Sequence, residues 1–566
     1  MCGIWAYIEL IKNKINHQEL FNDFMNLKHR GPDVSSYQII KNTTIGFHRL
    51  SIMEPGFHAN QPYVLHDINR TIVFICNGEI YNFNDLIYHY KLPIYDNSDC
   101  LVIPHLYLKT IHYNHTGNNI NSFVNLFKYK IKGEFAFMLF EFDKFQNIKE
   151  VVIGRDCIGV RPLYIGNDNN GIILSSEIKG MTSFPSKVNE FKPGTIKQIV
   201  FNNSETKNDI YNIFDYDFKT IYDIIPYEYI DMNDKQLEEC YLYNIRRALT
   251  RAVSIRLTAD CPIGFLLSGG LDSSLISSIA ASILETPINT FCCGLIGTDS
   301  TDIKYARLAA DYIKSNHTEI LVTIDEALSL IDTVIKTIES WCITTVRASI
   351  PQYIVSNYIG KNTNIKVIIT GETADEVASG YLYNYYAPSP IALDIGAKEY
   401  VHNIHMYDGR RCDRCVSAAS CEARIPFADP EFIDTYWHTP AEMRMPTYNN
   451  CEKWLLRKSF EGRDIIHPKV LWRRKEAFSD GISGVAKSWF QILQEHIETL
   501  VSNDEFNSNN LNCKTKEEYY YKKIFIKYYG IERINIIPNH WQPKWDSNGC
   551  EMDYYVDPSA RTLQIY

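Results

Sequence analysis

The sequence predicts an α/β protein of two domains, with antiparallel sheets in the N-terminal part and a parallel sheet in the C-terminal part. Up to about residue 200 the apolar runs are short and separated by turn residues such as Pro193-Gly194, which is typical of packed antiparallel sheets. From about residue 236 strands alternate with helical segments, which favours a parallel sheet. A chain of 566 residues, 45% of them apolar, is long enough for more than one core.

The N-terminal elements are short β-rich runs. Ile72–Cys76, Phe135–Phe142 and Val151–Gly154 are each almost wholly apolar, as buried strands are. A polar, irregular stretch then predicts a linker. We therefore expect a first domain over 2–200, a linker over 201–235 and a second domain over 236–566.

The second domain begins with a helix–strand–helix series. Leu237–Thr258 has helical periodicity, Pro262–Leu267 is a short apolar strand and Ser268–Leu284 turns into a helix. Lys366–Ile369 predicts another buried strand, which ends at Thr370-Gly371. The last hundred residues are mainly helical in pattern.

Charge and composition exclude several classes of function. A net charge of −10 argues against nucleic acid as a main partner. No apolar run reaches the roughly 18 residues of a membrane span, and the first residues lack the pattern of a signal peptide. The fifteen cysteines are irregularly spaced, which suits a reducing compartment. We expect a cytoplasmic protein that acts on small molecules.

Cys2 is the first candidate catalytic residue. If Met1 is removed, Cys2 carries both a thiol and a free α-amine. An α-amine has a pKa of about 7.7–8.0, so near neutral pH it can act as the base for its own thiol.

An oxyanion site and substrate ligands follow along the chain. Asn77 can supply a side-chain N–H and Gly78 a backbone N–H to a tetrahedral oxyanion. Arg49 can bind a carboxylate through two hydrogen bonds, and Glu79 with Asp99 can hold an ammonium group.

These residues stand within a set of motifs that resembles the class II, N-terminal-nucleophile glutamine amidotransferase domain. The resemblance implies an Ntn-type four-layer α/β/β/α sandwich and hydrolysis of glutamine through a Cys2 thioester. It also implies that glutamine is bound by Arg49, Leu50, Ser51, Ile52, Met53, Asn77, Gly78, Glu79 and Asp99. The motifs are Cys2–Ile4, Arg30–Asp33, Arg49–Ile52, Asn77–Tyr81, Asp99, Arg155-Asp156, Gly159–Tyr164 and Ser176–Lys179.

Ser268–Ser274, which reads SGGLDSS, follows an apolar strand and opens a helix. Glycines let backbone N–H groups approach phosphate oxygens, and a helix N-terminus favours negative charge. The segment resembles the PP-motif of ATP pyrophosphatases, which cleave ATP between its α and β phosphates. Asp272 is then a candidate ligand for Mg²⁺.

Three further segments follow the amidotransferase motifs along the chain: Thr344–Ser349, Thr370–Glu376 and Trp472–Gly481. Together with Glu422–Phe427 and the tail Asp557–Leu563 they resemble the glutamine-hydrolysing asparagine synthetases. This resemblance implies a doubly wound parallel-sheet domain with extra helices. The implied reaction converts aspartate, ATP and ammonia from glutamine into asparagine, AMP and pyrophosphate through β-aspartyl-AMP. A homodimer is implied by the resemblance alone.

The resemblance also assigns roles in the second domain. Glu372 matches the carboxylate that the family requires for formation and breakdown of the β-aspartyl-adenylate, and Lys475 matches the lysine that stabilises charge on the transferring phosphate. Asp272 and Asp375 match candidate Mg²⁺ ligands. Thr345, Arg347, Asp408 and Arg411 match positions around aspartate and pyrophosphate, and we expect them to bind aspartate. The implied ATP contacts are Leu267, Ser268, Gly269, Gly270, Asp272, Ser273, Cys293, Thr370 and Gly371.

The chain departs from the family pattern at three places. The acidic motif usually reads Ser-Gly-Glu-Gly-Ser/Ala-Asp-Glu, whereas here Thr370 replaces its serine and Thr373 its second glycine. Val377–Tyr381 differs from the usual Phe-Gly-Gly-Tyr, and Cys293 stands where a β-branched aliphatic residue is usual. We expect the first two to stiffen or reshape the adenylate pocket.

Three alternatives stay open on the sequence. The same two-domain plan serves enzymes that amidate or cyclise another carboxylate, as β-lactam synthetases do. A degenerate homologue would bind or regulate without catalysis, although the candidate catalytic residues are retained. Cys412 and Cys415, with Cys421 nearby, form one C-x-x-C pair, which is weak evidence for zinc and otherwise indicates buried reduced thiols.

Overall fold

The structure is a computed structural model that describes residues 1–11, 16–67, 69–112, 120–202, 211–218, 235–476, 481–484, 487–552 and 557. Contacts divide the chain into two compact units. The first is Met1–Thr220 with Ala259–Cys261, and the second is Ile221–Thr258 with Pro262–Tyr566.

The first unit contains twelve described strands and four described α-helices. The strands are β1 (Gly3–Glu9), β2 (Val34–Ile40), β3 (Thr43–Arg49), β4 (Tyr63–Asp67), β5 (Arg70–Ile80), β6 (Gly133–Asp143), β7 (Ile148–Arg155), β8 (Tyr164–Asn167), β9 (Gly171–Ser175), β10 (Val188–Glu190), β11 (Thr195–Phe201) and β12 (Tyr211–Asp217). The helices are α1 (His17–Met25), α2 (Phe83–Tyr90), α3 (Val102–His112) and α4 (Ile120–Tyr129).

The strands form two six-stranded antiparallel sheets, ordered β10-β8-β9-β1-β3-β2 and β12-β11-β7-β6-β5-β4. Because side chains alternate along a strand, β5 contributes to two cores. Val73 and Ile75 pack between the sheets with Ile4 of β1, whereas Phe74 packs with Phe123 of α4 on the outer face.

Helix α1 covers the other sheet. The Phe24 ring stacks on His48 of β3 with ring centroids 4.0 Å apart, and it also contacts Trp5 of β1. The order of layers is therefore helix, sheet, sheet, helix, and the predicted α/β/β/α sandwich is confirmed.

Strand β12 lies inside the stretch expected to be a linker. Tyr211–Asp217 pairs with β11 in antiparallel register, so the first unit continues beyond residue 200. Its residues are mostly exposed, because β12 is an edge strand and needs few apolar residues. The polar composition of this segment is why the sequence predicted a linker here. The rest of the expected linker lies largely outside the described residues.

The described part of the second unit contains five strands: β13 (Ile263–Leu266), β14 (Asn289–Leu295), β15 (Asn316–Val322), β16 (Val367–Ile369) and β17 (Glu422–Arg424). Its described helices up to residue 418 are α5 (Lys235–Ile255), α6 (Leu271–Leu284), α7 (Thr301–Ile313), α8 (Ile324–Ser329), α9 (Ile331–Ile338), α10 (Ile343–Asn362), α11 (Ala374–Val377), α12 (Pro390–Asn403) and α13 (Asp408–Ala418). Those that follow are α14 (Pro430–Trp437), α15 (Ala441–Arg444), α16 (Trp454–Phe460), α17 (Pro468–Leu471), α18 (Trp489–Leu500), α19 (Asn503–Ser508) and α20 (Lys516–Tyr529).

The five strands form one parallel sheet in the order β15-β14-β13-β16-β17. The predicted parallel sheet is confirmed. The chain leaves β13 toward β14 on one side and later returns to β16 on the other, which makes the carboxyl ends of β13 and β16 a topological switch point. Open α/β sheets bind their ligands at such a point.

Among the residues that the structure describes, no helix is long and apolar enough to cross a membrane.

Candidate active sites

The thiol of Cys2 lies half-buried at the start of β1. Gly3 pairs with His48 of β3, which places the segment after β3 beside Cys2. The Cys2 Sγ is 3.8 Å from the carbonyl oxygen of Leu50, and Arg30 Nε donates to the Cys2 carbonyl at 3.0 Å. The structure thus brings together the predicted nucleophile and the predicted glutamine-binding loop.

Asn77 carries a fully buried side-chain amide. It lies within β5, not in a turn, and its Oδ1 and Nδ2 have no hydrogen-bond partner among the described residues. By strand alternation its side chain is on the same face as Val73 and Ile75, against whose core Cys2 also packs. A buried amide without partners is costly, so its presence here favours a role toward a ligand.

Two buried carboxylates, Glu79 and Asp99, lie at the end of β5. Asp99 Oδ2 accepts the backbone N–H of Ile80 at 2.7 Å, which fixes the carboxylate beside the strand. Both side chains are less than a tenth exposed. They remain the candidate ligands for a substrate ammonium group.

Arg49 organises the loop that follows β3. Its Nη1 donates to the Gly56 carbonyl at 2.7 Å and to Asn60 Oδ1 at 2.6 Å, and its Nη2 donates to the carbonyls of Met53 and Glu54. These bonds position the loop itself, and a direct grip of Arg49 on the glutamine carboxylate stays a prediction.

Two further carboxylates hold the same loop: Asp33, which belongs to one of the amidotransferase motifs, and Asp260, which the sequence did not single out. Asp33 Oδ2 accepts the Ser51 N–H at 2.8 Å. Asp260, which belongs to the first unit, accepts the Glu54 N–H at 2.8 Å and donates its own N–H to the Ile52 carbonyl at 3.0 Å. The predicted glutamine loop is therefore held on several sides by hydrogen bonds.

In the second unit, the glycine-rich loop joins β13 to α6. Gly269 has φ +71°, and a Cβ there would lie 2.3 Å from the backbone N of Ala306, so only glycine fits. The Ser268 N–H donates to Ser273 Oγ at 3.2 Å and closes the loop onto the first turn of α6. This is the strand–loop–helix context that phosphate-binding loops need.

A cleft lies at the carboxyl ends of β13 and β16. A Cβ on Gly371 would lie 2.8 Å from the Ser273 N, so the acidic loop after β16 touches the glycine-rich loop. Glu372, Asp375 and Lys475 also line this cleft. The predicted nucleotide residues that line it are Leu267, Ser268, Gly270, Asp272, Ser273, Cys293, Thr370 and Gly371.

Two lysines meet two carboxylates in the cleft. Lys475 Nζ contacts Asp375, while Lys453 Nζ lies 2.6 Å from Asp272 Oδ2 and 2.5 Å from Asp375 Oδ1. Burial alone would raise the pKa of Asp375, but the two ammonium groups hold it well below its usual range. Burial would lower the pKa of Lys475, and the Asp375 and Asp272 carboxylates raise it instead. Asp375 is therefore ionised and Lys475 protonated at neutral pH.

Lys453 stands in none of the motifs recognised in the sequence, and no local pattern marks it as a site residue. It adopts φ +54° directly before α16, and its side chain is 1% exposed. A positive φ is uncommon for a residue other than glycine. Here it turns the lysine inward, toward both candidate metal ligands.

Glu372 forms a second cluster in the same cleft. Arg411 Nη2 donates to Glu372 Oε2 at 2.6 Å and lies 3.0 Å from Asp408 Oδ1, while Gln352 Nε2 donates to Glu372 Oε1 at 3.3 Å. Burial raises the pKa of Glu372 to about 7, with Asp408 and Asp375 adding to the rise and Arg411 and Lys475 opposing it. Glu372 is thus poised to exchange a proton near neutral pH.

Two of the four predicted aspartate ligands, Asp408 and Arg411, belong to this cluster. Arg347 does not. Its guanidinium is 2% exposed and is bound to Glu517, with Nη2–Oε2 at 2.7 Å, and to Asp557, with Nη2–Oδ2 at 3.0 Å. Thr345 is fully buried, and its Oγ1 has no partner among the described residues. Their contact with aspartate stays a prediction, which for Arg347 the geometry does not favour.

Comparison with known proteins follows the same division of the chain. Residues 1–243 match the family described as Glutamine amidotransferase domain, and residues 244–398 and 398–552 match Asparagine synthase. Asparagine synthetase (glutamine-hydrolyzing) of Homo sapiens is 35% identical over 593 residues, which cover 100% of this chain and 99% of that protein. The chain belongs to the glutamine-hydrolysing asparagine synthetases. The relatives of the same name from Mus musculus and Gallus gallus are 35% and 34% identical, with the same coverage.

Membership of the family confirms the resemblance seen in the motifs. Two of the departures from the asparagine synthetase pattern lie at residues with a positive φ. Thr373 adopts φ +75° and ψ −12° and is buried. A β-branched residue in the left-handed region is strained, whereas the glycine of the usual motif could adopt this φ at no steric cost. Ser379, in the second altered segment, also has a positive φ of +52°.

The donor set fits Mg²⁺. Asp272 and Asp375 offer hard oxygen ligands and already share one cation, the Lys453 ammonium. Among the described residues no group of three or more His, Cys, Asp or Glu forms a metal cage. Mg²⁺ is usually bound through one or two carboxylates together with substrate phosphates, and these two carboxylates meet that requirement.

The thiols of the C-x-x-C segment have separate partners. Cys412 Sγ is 3.6 Å from Thr370 Oγ1, and Cys415 Sγ is 3.6 Å from the Ser349 carbonyl oxygen. Cys421 Sγ lies 3.4 Å from the Ile365 carbonyl oxygen. Each thiol is buried against a different part of the second unit, as packed reduced cysteines are.

Proposed function

We propose that the chain makes asparagine from aspartate and ATP, with ammonia released from glutamine in its first unit. The observation that carries the proposal is the cleft at the switch point of the parallel sheet. There a phosphate loop, two lysine–carboxylate pairs and a carboxylate with a pKa of about 7 face one another. These groups suit attack of a carboxylate on ATP, followed by attack of an amine.

In the first unit, Cys2 is the proposed nucleophile. Once Met1 is removed, the α-amine of Cys2 takes the thiol proton as sulfur attacks the side-chain amide carbon of glutamine. The side-chain N–H of Asn77 and the backbone N–H of Gly78 stabilise the oxyanion. The C–N bond breaks, ammonia leaves, and water then releases glutamate from the thioester. Glu79 and Asp99 hold the ammonium group of glutamine during these steps.

In the second unit, a β-carboxylate oxygen of aspartate attacks the α-phosphorus of ATP, and the bond from the α-phosphorus to the bridging oxygen breaks. Lys475, Lys453 and the backbone N–H groups after Ser268 stabilise the charge that develops on the phosphates, which is largely electrostatic catalysis. Mg²⁺ held by Asp272 and Asp375 would neutralise the pyrophosphate oxygens.

Ammonia then attacks the carbonyl carbon of β-aspartyl-AMP. Glu372 takes a proton from the attacking nitrogen, and the C–O bond to the phosphate breaks, which gives asparagine and AMP. Asp408 and Arg411 are the proposed ligands for the α-ammonium and α-carboxylate of aspartate. Action on small molecules in the cytosol and a homodimeric state remain expectations.

The test is the purified chain with Cys2 replaced. Cys2→Ala should abolish glutamine-dependent synthesis of asparagine and leave ammonia-dependent synthesis largely intact. Lys475→Ala should lose aspartate-dependent release of pyrophosphate and keep the glutaminase. Loss of both activities in a well-folded Cys2→Ala variant would contradict the division of labour.

A further inference from the structure

Gln352 has a fully buried side-chain amide in the second unit, and among the described residues only its NH₂ group is hydrogen-bonded. It lies on α10 and lines the nucleotide cleft. Its Nε2 donates to Glu372 Oε1 at 3.3 Å. Its Oε1 is buried and has no hydrogen-bond partner among the described residues.

The orientation of the Gln352 amide follows from the charges around it. An ionised carboxylate accepts hydrogen bonds only, so Glu372 draws the NH₂ group of Gln352 toward itself. The carbonyl oxygen is thereby turned away from Glu372 and left as a buried acceptor. Such a group needs a donor, and the Nη2 of the neighbouring Arg411 is already engaged with Glu372 and Asp408.

The ligand that suits this acceptor is small and carries at least two N–H donors. Phosphate and acyl oxygens are themselves acceptors and would repel Oε1. Ammonia has three N–H bonds and one lone pair, so it can donate to the carboxylate of Glu372 and to the carbonyl of Gln352 and still present its lone pair to an electrophile.

We propose that Gln352 binds the ammonia that attacks the adenylate. The inference rests on the proposed function and adds a nucleophile subsite to it. Ammonia donates one N–H to Gln352 Oε1 and another to Glu372. Its nitrogen forms the bond to the acyl carbon, Glu372 takes the proton, and the bonding pair of the C–O bond leaves with AMP. Gln352 also holds Glu372 in place through Nε2.

The test is Gln352→Met, which keeps the length of the side chain and removes both polar groups. Three quantities are measured: the KM for ammonia, the KM for aspartate in ATP–pyrophosphate exchange, and the ratio of asparagine to pyrophosphate formed. We expect the KM for ammonia to rise about tenfold, the effect of one lost hydrogen bond. Exchange should stay within twofold, and pyrophosphate should exceed asparagine as water competes for the adenylate.

Ser356→Ala is the matched control, because Ser356 is also a fully buried α10 residue whose Oγ has no partner among the described residues, and it does not line the cleft. It should leave all three quantities unchanged. An unchanged KM for ammonia in Gln352→Met would overturn the proposal, and so would a raised KM for aspartate, since the acceptor would then serve the α-ammonium of aspartate. Absence of aspartate-dependent ATP–pyrophosphate exchange in the unaltered chain would instead contradict the proposed function itself, independently of the role of Gln352.

Discussion

We predict that Gly380→Ala abolishes adenylation and leaves glutamine hydrolysis intact. Gly380 provides the space through which the Lys453 side chain reaches its carboxylates. A Cβ at residue 380 would lie 1.9 Å from Lys453 Cε and 2.3 Å from Asp375 Oδ1. Since carbon atoms in contact are about 3.5 Å apart, Cε would have to move by roughly 1.5 Å. Gly380 is not among the residues with positive φ, so the backbone itself accepts alanine.

The size of the effect follows from the contacts that this movement breaks. Lys453 Nζ is held 2.6 Å from Asp272 and 2.5 Å from Asp375, and a displacement of about 1.5 Å takes both out of hydrogen-bond range. Breaking a buried ion pair costs about 3–5 kcal/mol. Because the carboxylates are 15–16% exposed, we expect a loss near 3 kcal/mol in the free energy of unfolding of the second unit.

Urea unfolding followed by tryptophan fluorescence measures this loss, because seven of the eight tryptophans lie beyond residue 340. Adenylation is measured by aspartate-dependent ATP–pyrophosphate exchange. In a Lys453→Ala background the clash with the lysine side chain is gone and only the contact with Asp375 Oδ1 remains. Gly380→Ala should therefore cost less there than in the unaltered chain, a non-additive result expected of residues in contact. Full additivity of the two substitutions, or normal exchange in Gly380→Ala, would refute the reasoning.

Three further predictions follow from buried groups. Asn77→Ala should lower the kcat of the glutaminase by about 10²–10³-fold without lowering stability, because the amide it removes has no partner among the described residues; a normal kcat would remove Asn77 from the oxyanion site. Arg347→Lys should lower the free energy of unfolding by about 2 kcal/mol through lost bonds to Glu517, with the KM for aspartate within twofold; a large rise in that KM would restore Arg347 as a substrate ligand. The rate of ammonia-dependent synthesis at constant free NH₃ should rise with pH and level off above about 7, because Glu372 acts as a base only when ionised and its pKa is about 7. Glu372→Gln should abolish synthesis, and a pH profile flat from 6 to 8 in the unaltered chain would contradict the assignment.

The sequence predicted the parts of the sites that lie at the ends of strands. The loops after β13 and β16 could be placed together because parallel strands end at one edge of a sheet, and the pairing of Ile263 with Val367 bears this out. The antiparallel sheets of the first unit could be predicted from short apolar runs, and their arrangement in four layers from the family resemblance. These features are local in sequence or repeat with the period of a strand.

Contacts between distant side chains could not be predicted in this way. Lys453 reaches Asp272 across 181 positions of the chain, and only the folded second unit brings them together. Arg347 illustrates a second difficulty, because an arginine looks the same in sequence whether its guanidinium binds a substrate or a structural carboxylate such as Glu517. The strain at Thr373 was also hidden, since φ is a property of the turn and not of the residue type.

The central claim is that the second unit activates aspartate by transfer of AMP. Its most direct test is synthesis from aspartate labelled with ¹⁸O in the β-carboxylate, with mass analysis of the nucleotide product. If AMP is transferred to aspartate, each asparagine formed is accompanied by one AMP that carries one labelled oxygen, because the C–O bond breaks when ammonia attacks. Unlabelled AMP, or ADP with the label in inorganic phosphate, would contradict it.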